Sequence, residues 1–185
     1  MNTAPFKKNY ALTNNGGAAQ QSCDYSFYYY DPTNGIDGNT EGTPPWGSIN
    51  DANLAHTCLA EEVSWEVVLG QRTNVHKITI YNRDDGPANA RMEQVVLQLY
   101  DGGNLVASES LSELWKPVGE GGTATDDVFT IFFSNVFATK VKLYKSTLGN
   151  TKPINFRELE AWGTTFMVSH RFFFSPVNIY QLISM

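Results

Sequence analysis

Several features that mark common classes of protein are scarce or missing from this sequence. Acidic residues outnumber lysine and arginine, the net charge is −6, and the basic residues form no cluster, which argues against a nucleic-acid-binding surface. No apolar run is long enough to span a bilayer, so no transmembrane helix is expected. Residues 1–8 lack the apolar segment of a secretory signal, and we therefore predict no signal peptide there.

The motifs of the common enzyme classes are also missing. The sequence contains no nucleophile elbow, no phosphate-binding loop and no His-Glu-x-x-His helix. The acidic pairs 84–85 and 126–127 could serve a glycosidase, but adjacent residues on a strand point to opposite faces. His76 alternates with Ile78 in an apolar pattern, which favours a core histidine over a catalytic base. We therefore predict that the protein is not an enzyme.

Short alternating segments dominate what remains. Apolar residues recur at every second position and are separated by Gly, Asn, Asp and Pro, as in antiparallel strands. Aromatic residues make up 13% and charged residues 17% of the 185 residues, which fits one β-rich globular domain. Val95, Leu97 and Leu99 share one face of such a segment. We predict an all-β antiparallel sandwich of the jelly-roll type, with strands over 63–69, 75–82, 92–100, 105–111, 128–134, 139–145 and 155–162.

A small group of polar residues is the best candidate for a binding site. His56 is followed along the chain by Arg83, Asp85 and Arg91. An imidazole and two guanidinium groups offer several directed donors, and the nearby carboxylate can orient the guanidinium groups. This set suits a compact ligand rich in hydroxyl and ether oxygens, such as a sugar. The competing interpretation is that a histidine and an Arg–Asp pair only solvate a surface loop.

The spacing of these residues resembles the fucose-binding motif of F-type lectins (fucolectins). In that motif a histidine precedes an Arg-x-Asp sequence, present here as Arg83-Asp84-Asp85, and a second basic residue follows. Arg91 stands one position later than the family pattern would place it. The resemblance implies a lectin-like domain that binds a fucose-like or related sugar. Where these lectins often have adjacent cysteines that touch the sugar, this sequence has Gly86-Pro87, so that apolar contact is lost or reshaped.

Further segments follow a characteristic order along the chain. They are Asn9-Tyr10-Ala11-Leu12 with Ala18-Ala19-Gln20-Gln21-Ser22, Gly35-Ile36-Asp37-Gly38-Asn39-Thr40, Trp65-Glu66-Val67-Val68-Leu69-Gly70, Ile78-Thr79-Ile80-Tyr81-Asn82-Arg83, and residues 154–163. Their order resembles the discoidin, or coagulation-factor C-domain, superfamily of galactose-binding-like jelly rolls. The resemblance covers residues 9–163. It leaves an N-terminal extension, 1–8, and a C-terminal tail, 164–185.

The loop around Asp37 is a candidate cation site. Side-chain oxygens on a tight, glycine-punctuated segment suit a hard cation such as calcium. The resemblance to F-type lectins implies a structural calcium ion, Ca2+, at this loop. Its implied ligands are Asn34, Asp37, Asn39, Asn53, the carbonyl of Arg157 and Glu158. Ser48 is an alternative to Asn53, and the simpler interpretation is a turn stabilised by Asn and Asp side chains without an ion.

Aromatic residues and two cysteines lie in segments that the resemblance brings near His56. Any residue of the run Tyr28-Tyr29-Tyr30, of which we assign Tyr29, and Trp46 could stack on a sugar ring or cover a methyl group. The alternative for the tyrosines is packing on the core. Cys23 and Cys58 form no CxxC motif, so a zinc or thioredoxin-type role lacks support. A Cys23–Cys58 disulfide and two free thiols both remain open.

The apolar tail, 164–185, falls outside the family pattern and must pack on its own domain or on a partner. We therefore predict a homo-oligomer or attachment to a larger assembly through the tail, with a glycan or glycoprotein as the ligand. An extracellular or particle-surface location fits this function. The alternative is a structural component, for instance of a particle shell or surface layer, that reuses the jelly roll without binding sugar.

Overall fold

The fold is described from a computed structural model, which defines residues 8–24, 30–40, 54–83, 91–113, 128–146 and 152–165. These residues form eight strands: β1 (Lys8–Asn9), β2 (Ala18–Gln21), β3 (Ala55–His56), β4 (Glu62–Asn82), β5 (Val96–Asp101), β6 (Asn104–Ser110), β7 (Val128–Ser146) and β8 (Asn155–Thr164). Short 3-10 helices cover Thr13–Asn15, Pro32–Ile36 and Leu111–Glu113. No helix in these ranges has both the length and the apolar character needed to cross a bilayer.

The strands form the predicted antiparallel β-sandwich. Their order is β1-β8-β4-β7-β5-β6, with β2 also paired to β4 and β3 to β8. The long strands β4 and β7 pair with each other along most of their length, and the register shifts between Val68 and Thr73. Residues of β4 before this shift pair with β2, whereas those after it pair with β8. Strands β4 and β7 therefore contribute to both layers of the sandwich.

One apolar core lies between the layers. It includes Trp65 and Val67 from the first half of β4, and Ile78 and Ile80 from the second half. Trp65 meets the ring of Phe156 edge-on, with 4.8 Å between the ring centroids. Burial of these apolar side chains is the main term that stabilises the sandwich.

Strand boundaries differ from the sequence prediction in three places. Gly70 does not end a strand, because β4 continues through it. A Cβ atom at Gly70 would collide with the carbonyl of Asn15, so this glycine permits close backbone approach. The separate predictions 128–134 and 139–145 are likewise one strand, β7. Residues 92–95 precede β5 as a turn in which Gln94 has φ 63°, although the predicted core face of Val95, Leu97 and Leu99 is confirmed.

His76 does not lie on the core face with Ile78, and that prediction is wrong. A bulge between Val75 and Lys77 shifts the alternation, so Val75 and Ile78 both point into the core. His76 is only partly buried, and its Nε2 lies 3.1 Å from Oγ1 of Thr164. The bulge, which the sequence pattern did not reveal, explains the error.

The two cysteines form a disulfide, which the sequence alone did not decide. Cys23 and Cys58 have Cα atoms 5.4 Å apart. The backbone N–H of Cys58 donates to the carbonyl of Cys23, and Asp24 forms an isolated bridge with Thr57. The disulfide therefore ties the segment after β2 to the segment that carries His56.

Candidate functional site

His56 lies at the end of β3, where this two-residue strand pairs with the beginning of β8. Its side chain is only 3% exposed. Nδ1 lies 2.7 Å from the carbonyl oxygen of Thr57, which can only accept, so Nδ1 must carry the proton. Nε2 lies 3.0 Å from Nη1 of Arg91, which can only donate, so Nε2 must accept. Both contacts require the same neutral tautomer.

Two guanidinium groups converge on this histidine and on Asn155. Arg83 directly follows β4 and is 3% exposed, whereas Arg91 begins the turn before β5 and is partly buried. Asn155 opens β8 opposite His56. With its amide oriented so that the oxygen faces the arginines, Oδ1 accepts from Nη1 of Arg83 at 3.1 Å and from Nη1 of Arg91 at 2.9 Å. The structure thus brings His56, Arg83 and Arg91 together.

Burial lowers the pKa of His56 from 6.5 to about 4. The positive charges of Arg91 and Arg83 act in the same direction, whereas the hydrogen bond to the Thr57 carbonyl partly opposes them. The imidazole is therefore neutral at physiological pH. Nε2 has a single lone pair, which Arg91 occupies here. It can receive a hydroxyl hydrogen once Arg91 turns that N–H to a ligand oxygen. His56 therefore does not offer the donor that its residue type predicts, because the Thr57 carbonyl accepts its Nδ1 hydrogen.

Tyr30 packs against the other side of the site. Its ring stacks on the His56 ring, with 4.7 Å between centroids and 17° between planes. Its carbonyl accepts from Nε2 of Gln21 at 3.1 Å, and its side chain is 6% exposed. Of the predicted sugar contacts, Asp85, Trp46 and Tyr29 lie outside the described residues.

Sequence reasoning missed Asn155 as a site residue and did not select Tyr30 from its run. Asn155 appeared only as part of the last strand, because its role depends on the register that places it opposite His56. Tyr30 was one of three equivalent tyrosines in the pattern. Its selection depends on the stacking of its ring on His56, a contact between positions far apart in the sequence.

The predicted calcium loop packs against β8. Asp31 caps the 3-10 helix Pro32–Ile36 by accepting from the backbone N–H of Thr33. After this helix, Oδ1 of Asp37 accepts from the backbone N–H of Asn39 at 2.7 Å, and the intervening Gly38 has φ 90°. These contacts include the Asx-type bonds of the simpler turn interpretation. Asn34 donates through Nδ2 to the carbonyl of Leu54 at 3.2 Å.

Glu158 connects this loop to β8 and is fully buried. Its Oε2 accepts from the backbone N–H of Gly38 at 3.2 Å, whereas Oε1 is buried and has no hydrogen-bond partner among the described residues. Burial raises the pKa of Glu158 to about 8, and the negative charge of Asp37 adds to the shift. A buried carboxylate oxygen without a partner, beside a second carboxylate, fits a hard cation.

The other implied ligands are less fully described. The Arg157 side chain donates through Nε to the Asn82 carbonyl at 2.6 Å and through Nη1 to the Thr40 carbonyl at 3.3 Å. Asn53, like its alternative Ser48, lies outside the described residues. In the part of the chain that the structure describes, no three His, Cys, Asp or Glu side chains form a metal-binding group. The implied set contains only Asp37 and Glu158 of these types, and its other donors are amides and a carbonyl.

Comparison with known families gives one match. Residues 34–143 match the F5/F8 type C family model described as the NedA-like, galactose-binding domain. The matched region includes His56, Arg83 and Arg91, and it covers more than half of the chain. No match was found among curated proteins.

Three solved structures of similar fold are described as lectins or as a fucose binding module. The lectin domain of lectinolysin, complexed with Lewis B antigen, is 24% identical, with a TM-score of 0.67 over 85% of this chain and 98% of that one. The Streptococcus pneumoniae fucose binding module SpX-3 is 21% identical, with a TM-score of 0.67 over 85% and 99%. A fucolectin from striped bass (Morone saxatilis) serum is 20% identical, with a TM-score of 0.65 over 88% of this chain and 49% of that one.

Proposed function

The chain belongs to the F5/F8 type C family of NedA-like galactose-binding domains, and on that basis we propose that it binds a fucose-like or related sugar through His56, Arg83 and Arg91. The observation that carries this proposal is the convergence of the two arginines on a neutral His56. The binding modules of similar fold are described as complexed with Lewis B antigen, as fucose binding or, at 18% identity, as complexed with galactose.

The chemistry of the three side chains matches that of a sugar. The guanidinium groups would donate to ring and hydroxyl oxygens. Arg91 would exchange its contact with Nε2 of His56 for a sugar oxygen, and Nε2 would then accept from a hydroxyl group. Charge-assisted hydrogen bonds contribute about 1.5–3 kcal/mol each, because the donor carries a full charge. In sum, the free energy of binding at a small polar site of this type is about 4–6 kcal/mol, which corresponds to dissociation constants from millimolar to high micromolar.

Access to the site imposes an order on these contacts. His56 and Arg83 are each 3% exposed, whereas Arg91 is less deeply buried. We therefore expect a sugar to meet Arg91 first, and to reach His56 as neighbouring side chains move. Tyr30 already covers one face of the His56 ring, so we expect the sugar to approach from elsewhere.

We further propose that calcium binds between the Asp37 loop and Glu158 and stabilises the fold without taking part in sugar recognition. Asn34, Asp37, Asn39, Asn53, the Arg157 carbonyl and Glu158 would hold it. The buried Oε1 atom of Glu158 supports this proposal, because a cation would supply its missing partner. The ion would fix the loop to β8, the strand that also carries Asn155.

An extracellular or surface setting is proposed on the basis of the Cys23–Cys58 disulfide, since such bonds persist in oxidising compartments. There the domain would bind a glycan or glycoprotein. The boundaries of the extension 1–8, the domain 9–163 and the tail 164–185 remain predictions, as does assembly through the tail, whose residues 166–185 lie outside the described ranges. The similar solved structures do not favour the non-binding structural component, because they are described as lectins or binding modules.

A glycan array carrying fucosylated and galactosylated ligands tests the proposal. Calcium-loaded wild-type protein should bind a subset of these glycans, and Arg83→Ala should bind none of them. Arg72→Ala is the matched control. Arg72 is an arginine of β4 whose Nη2 forms an ion pair with Oδ2 of Asp101 at 2.6 Å. A blank array with folded wild-type protein would refute sugar binding, and an equal loss in both variants would refute the assigned site.

A further inference from the structure

Lys145 is a cation in the core. Along the end of β7, Val141, Leu143 and Lys145 occupy alternate positions and are all buried, so the lysine points inward with its apolar neighbours. Its side chain is 1% exposed, among the largest that are fully buried. Burying an ammonium group is unfavourable unless it gains a specific partner, and lysine is almost never fully buried without one.

The partner of Lys145 is the backbone of Arg91. The ammonium Nζ donates to the Arg91 carbonyl oxygen at 2.9 Å, across 54 positions of sequence. The guanidinium group of the same arginine contacts Nε2 of His56 and, through Nη1, Oδ1 of Asn155. Lys145 thus contacts the backbone of Arg91, and His56 and Asn155 contact its side chain.

The turn that carries Arg91 is held on both sides. Within it, Gln94 has a positive φ of 63°. The backbone N–H of Gln94 donates to Oγ of Ser112, which holds the far side of the turn. The bond from Lys145 holds the near side, next to the guanidinium that faces His56.

Lys145 stays mostly protonated at neutral pH, because its lowered pKa is still above 7. Burial lowers its pKa to about 8, the positive charge of Lys152 acts in the same direction, and the negative charge of Glu93 opposes both. Lys152 and Glu93 pair with each other at 3.7 Å. The group at Arg91 is therefore an ammonium with several N–H donors.

We propose that Lys145 is a positioning residue for the sugar site: by donating to the Arg91 carbonyl, it fixes the arginine whose guanidinium group sets the environment of His56. The effect on sugar affinity rests on the proposed function. The effect on His56 does not, because the contact between Arg91 and His56 is present without a ligand.

The first test is the titration of the His56 imidazole, followed by NMR in the absence of sugar. Lys145→Met keeps the length of the side chain and removes the donor, and its apolar end suits the buried site. If Arg91 moves, its charge leaves His56, and the imidazole pKa should rise above about 4, with burial still holding it below 6.5. Lys142→Met on the outward face of β7, where Nζ lies over the ring of Tyr144, is the matched control and should leave the titration unchanged.

The second test is affinity for free L-fucose, measured by titration calorimetry or NMR. Lys145→Met should bind about 3- to 10-fold more weakly than wild type, the loss expected for one hydrogen bond that orders a ligand-binding group. Thermal stability is not the readout of this role, because removing a buried charge raises stability whereas leaving the Arg91 carbonyl without its donor lowers it. A structural role alone would instead alter stability and leave both the fucose affinity and the His56 titration as in wild type.

The outcomes separate the two proposals. If wild type binds no fucose but Lys145→Met still raises the His56 pKa, the positioning role holds and the proposed function fails. If wild type binds and Lys145→Met changes neither quantity, the positioning role is overturned. Should Lys145→Met fail to fold, Lys145→Leu also removes the donor and keeps an apolar side chain in the core, and it should change the His56 titration in the same direction; an unchanged titration would overturn the proposal.

Discussion

Nη1 of Arg91 lies 3.0 Å from Nε2 of His56, so a permanently charged donor faces a histidine nitrogen that must be unprotonated. The carbonyl of Thr57 accepts a hydrogen bond from Nδ1, which carries the single N–H group of the neutral ring. Protonating His56 would place a hydrogen on Nε2 against Arg91. The contact between these two residues therefore makes the site dependent on a neutral imidazole, and it has a direct consequence for pH.

Sugar binding should be retained at mildly acidic pH and lost as the pH falls through about 4, the pKa of His56 in the folded protein. The contribution of His56 to fold stability should have the same sign, whereas the raised pKa of Glu158 acts in the opposite direction. The pKa of His56 in the folded protein lies below the ordinary 6.5. As the pH is lowered from 6.5 to 4, His56 is therefore protonated in the unfolded chain first, and its contribution to the free energy of unfolding decreases.

Fucose affinity measured between pH 7 and 3.5, with the folded fraction monitored by circular dichroism, checks this prediction. The His56→Gln variant is the control, because it cannot gain the charge and should lose the step near pH 4. A midpoint for binding near 6.5 would contradict a depressed pKa.

Asn155→Ala should weaken binding and destabilise the fold. Its amide oxygen accepts from both Arg83 and Arg91, and removing it leaves one buried and one partly buried guanidinium group without that acceptor. We expect a loss of about 1.5–3 kcal/mol in the free energy of unfolding. Urea denaturation checks this. Asn155→Asp, which keeps an acceptor at the same place, should lose less; an equal loss in both variants would contradict the role assigned to the oxygen.

Removing calcium should lower the melting temperature. A ligand that binds only the folded protein stabilises it by about 2.7 kcal/mol at a hundredfold excess over its dissociation constant. Thermal melts with calcium and with chelator should therefore differ for wild type but coincide for Asp37→Ala. Asp31→Ala, which removes the cap of the preceding 3-10 helix, is the control: it should melt lower yet still respond to calcium. If wild type melts identically in both conditions, the loop is a turn without an ion.

Reducing the Cys23–Cys58 disulfide should destabilise the domain and weaken binding. The bond closes a segment of 35 positions, for which the loss of chain entropy in the unfolded state is about 3–4 kcal/mol. It also joins the segments that lead to Tyr30 and to His56, whose rings stack. Urea denaturation and fucose titration with and without reductant, beside the Cys23→Ser/Cys58→Ser double variant, measure both effects. Unchanged affinity in a folded, reduced protein would show that the stacking persists without the bond.

Period-two alternation predicted the sandwich, because half-buried strands must alternate apolar and polar residues. It could not predict that β4 continues through Gly70, since the reason is the close approach of Asn15, far away in sequence. The bulge beside His76 likewise depends on pairing with β7 and β8. The sequence therefore predicted which segments form strands better than it predicted where those strands begin and end.

The same limit applies to the site. His56, Arg83 and Arg91 could be selected because their residue types and order resemble a known motif. Asn155 could not, because its role requires the register of β3 against β8. Lys145 could have been noticed: Val141 and Leu143 alternate toward the core, and the next inward position is a lysine. A charged residue at a position that the pattern assigns to the core is a signal available from sequence alone.

The most direct measurement is the response of the His56 imidazole NMR signals to added L-fucose and D-galactose, at neutral pH in the presence of calcium. Our interpretation predicts that at least one of these sugars shifts the His56 signals in a saturable manner, with a dissociation constant in the millimolar to high micromolar range. The signals of His76, which lies at the bulge of β4 beside Thr164, should not move. If the protein is folded and the His56 signals remain unchanged up to about 100 mM of either sugar, well above this range, the site does not bind them and the central claim is wrong.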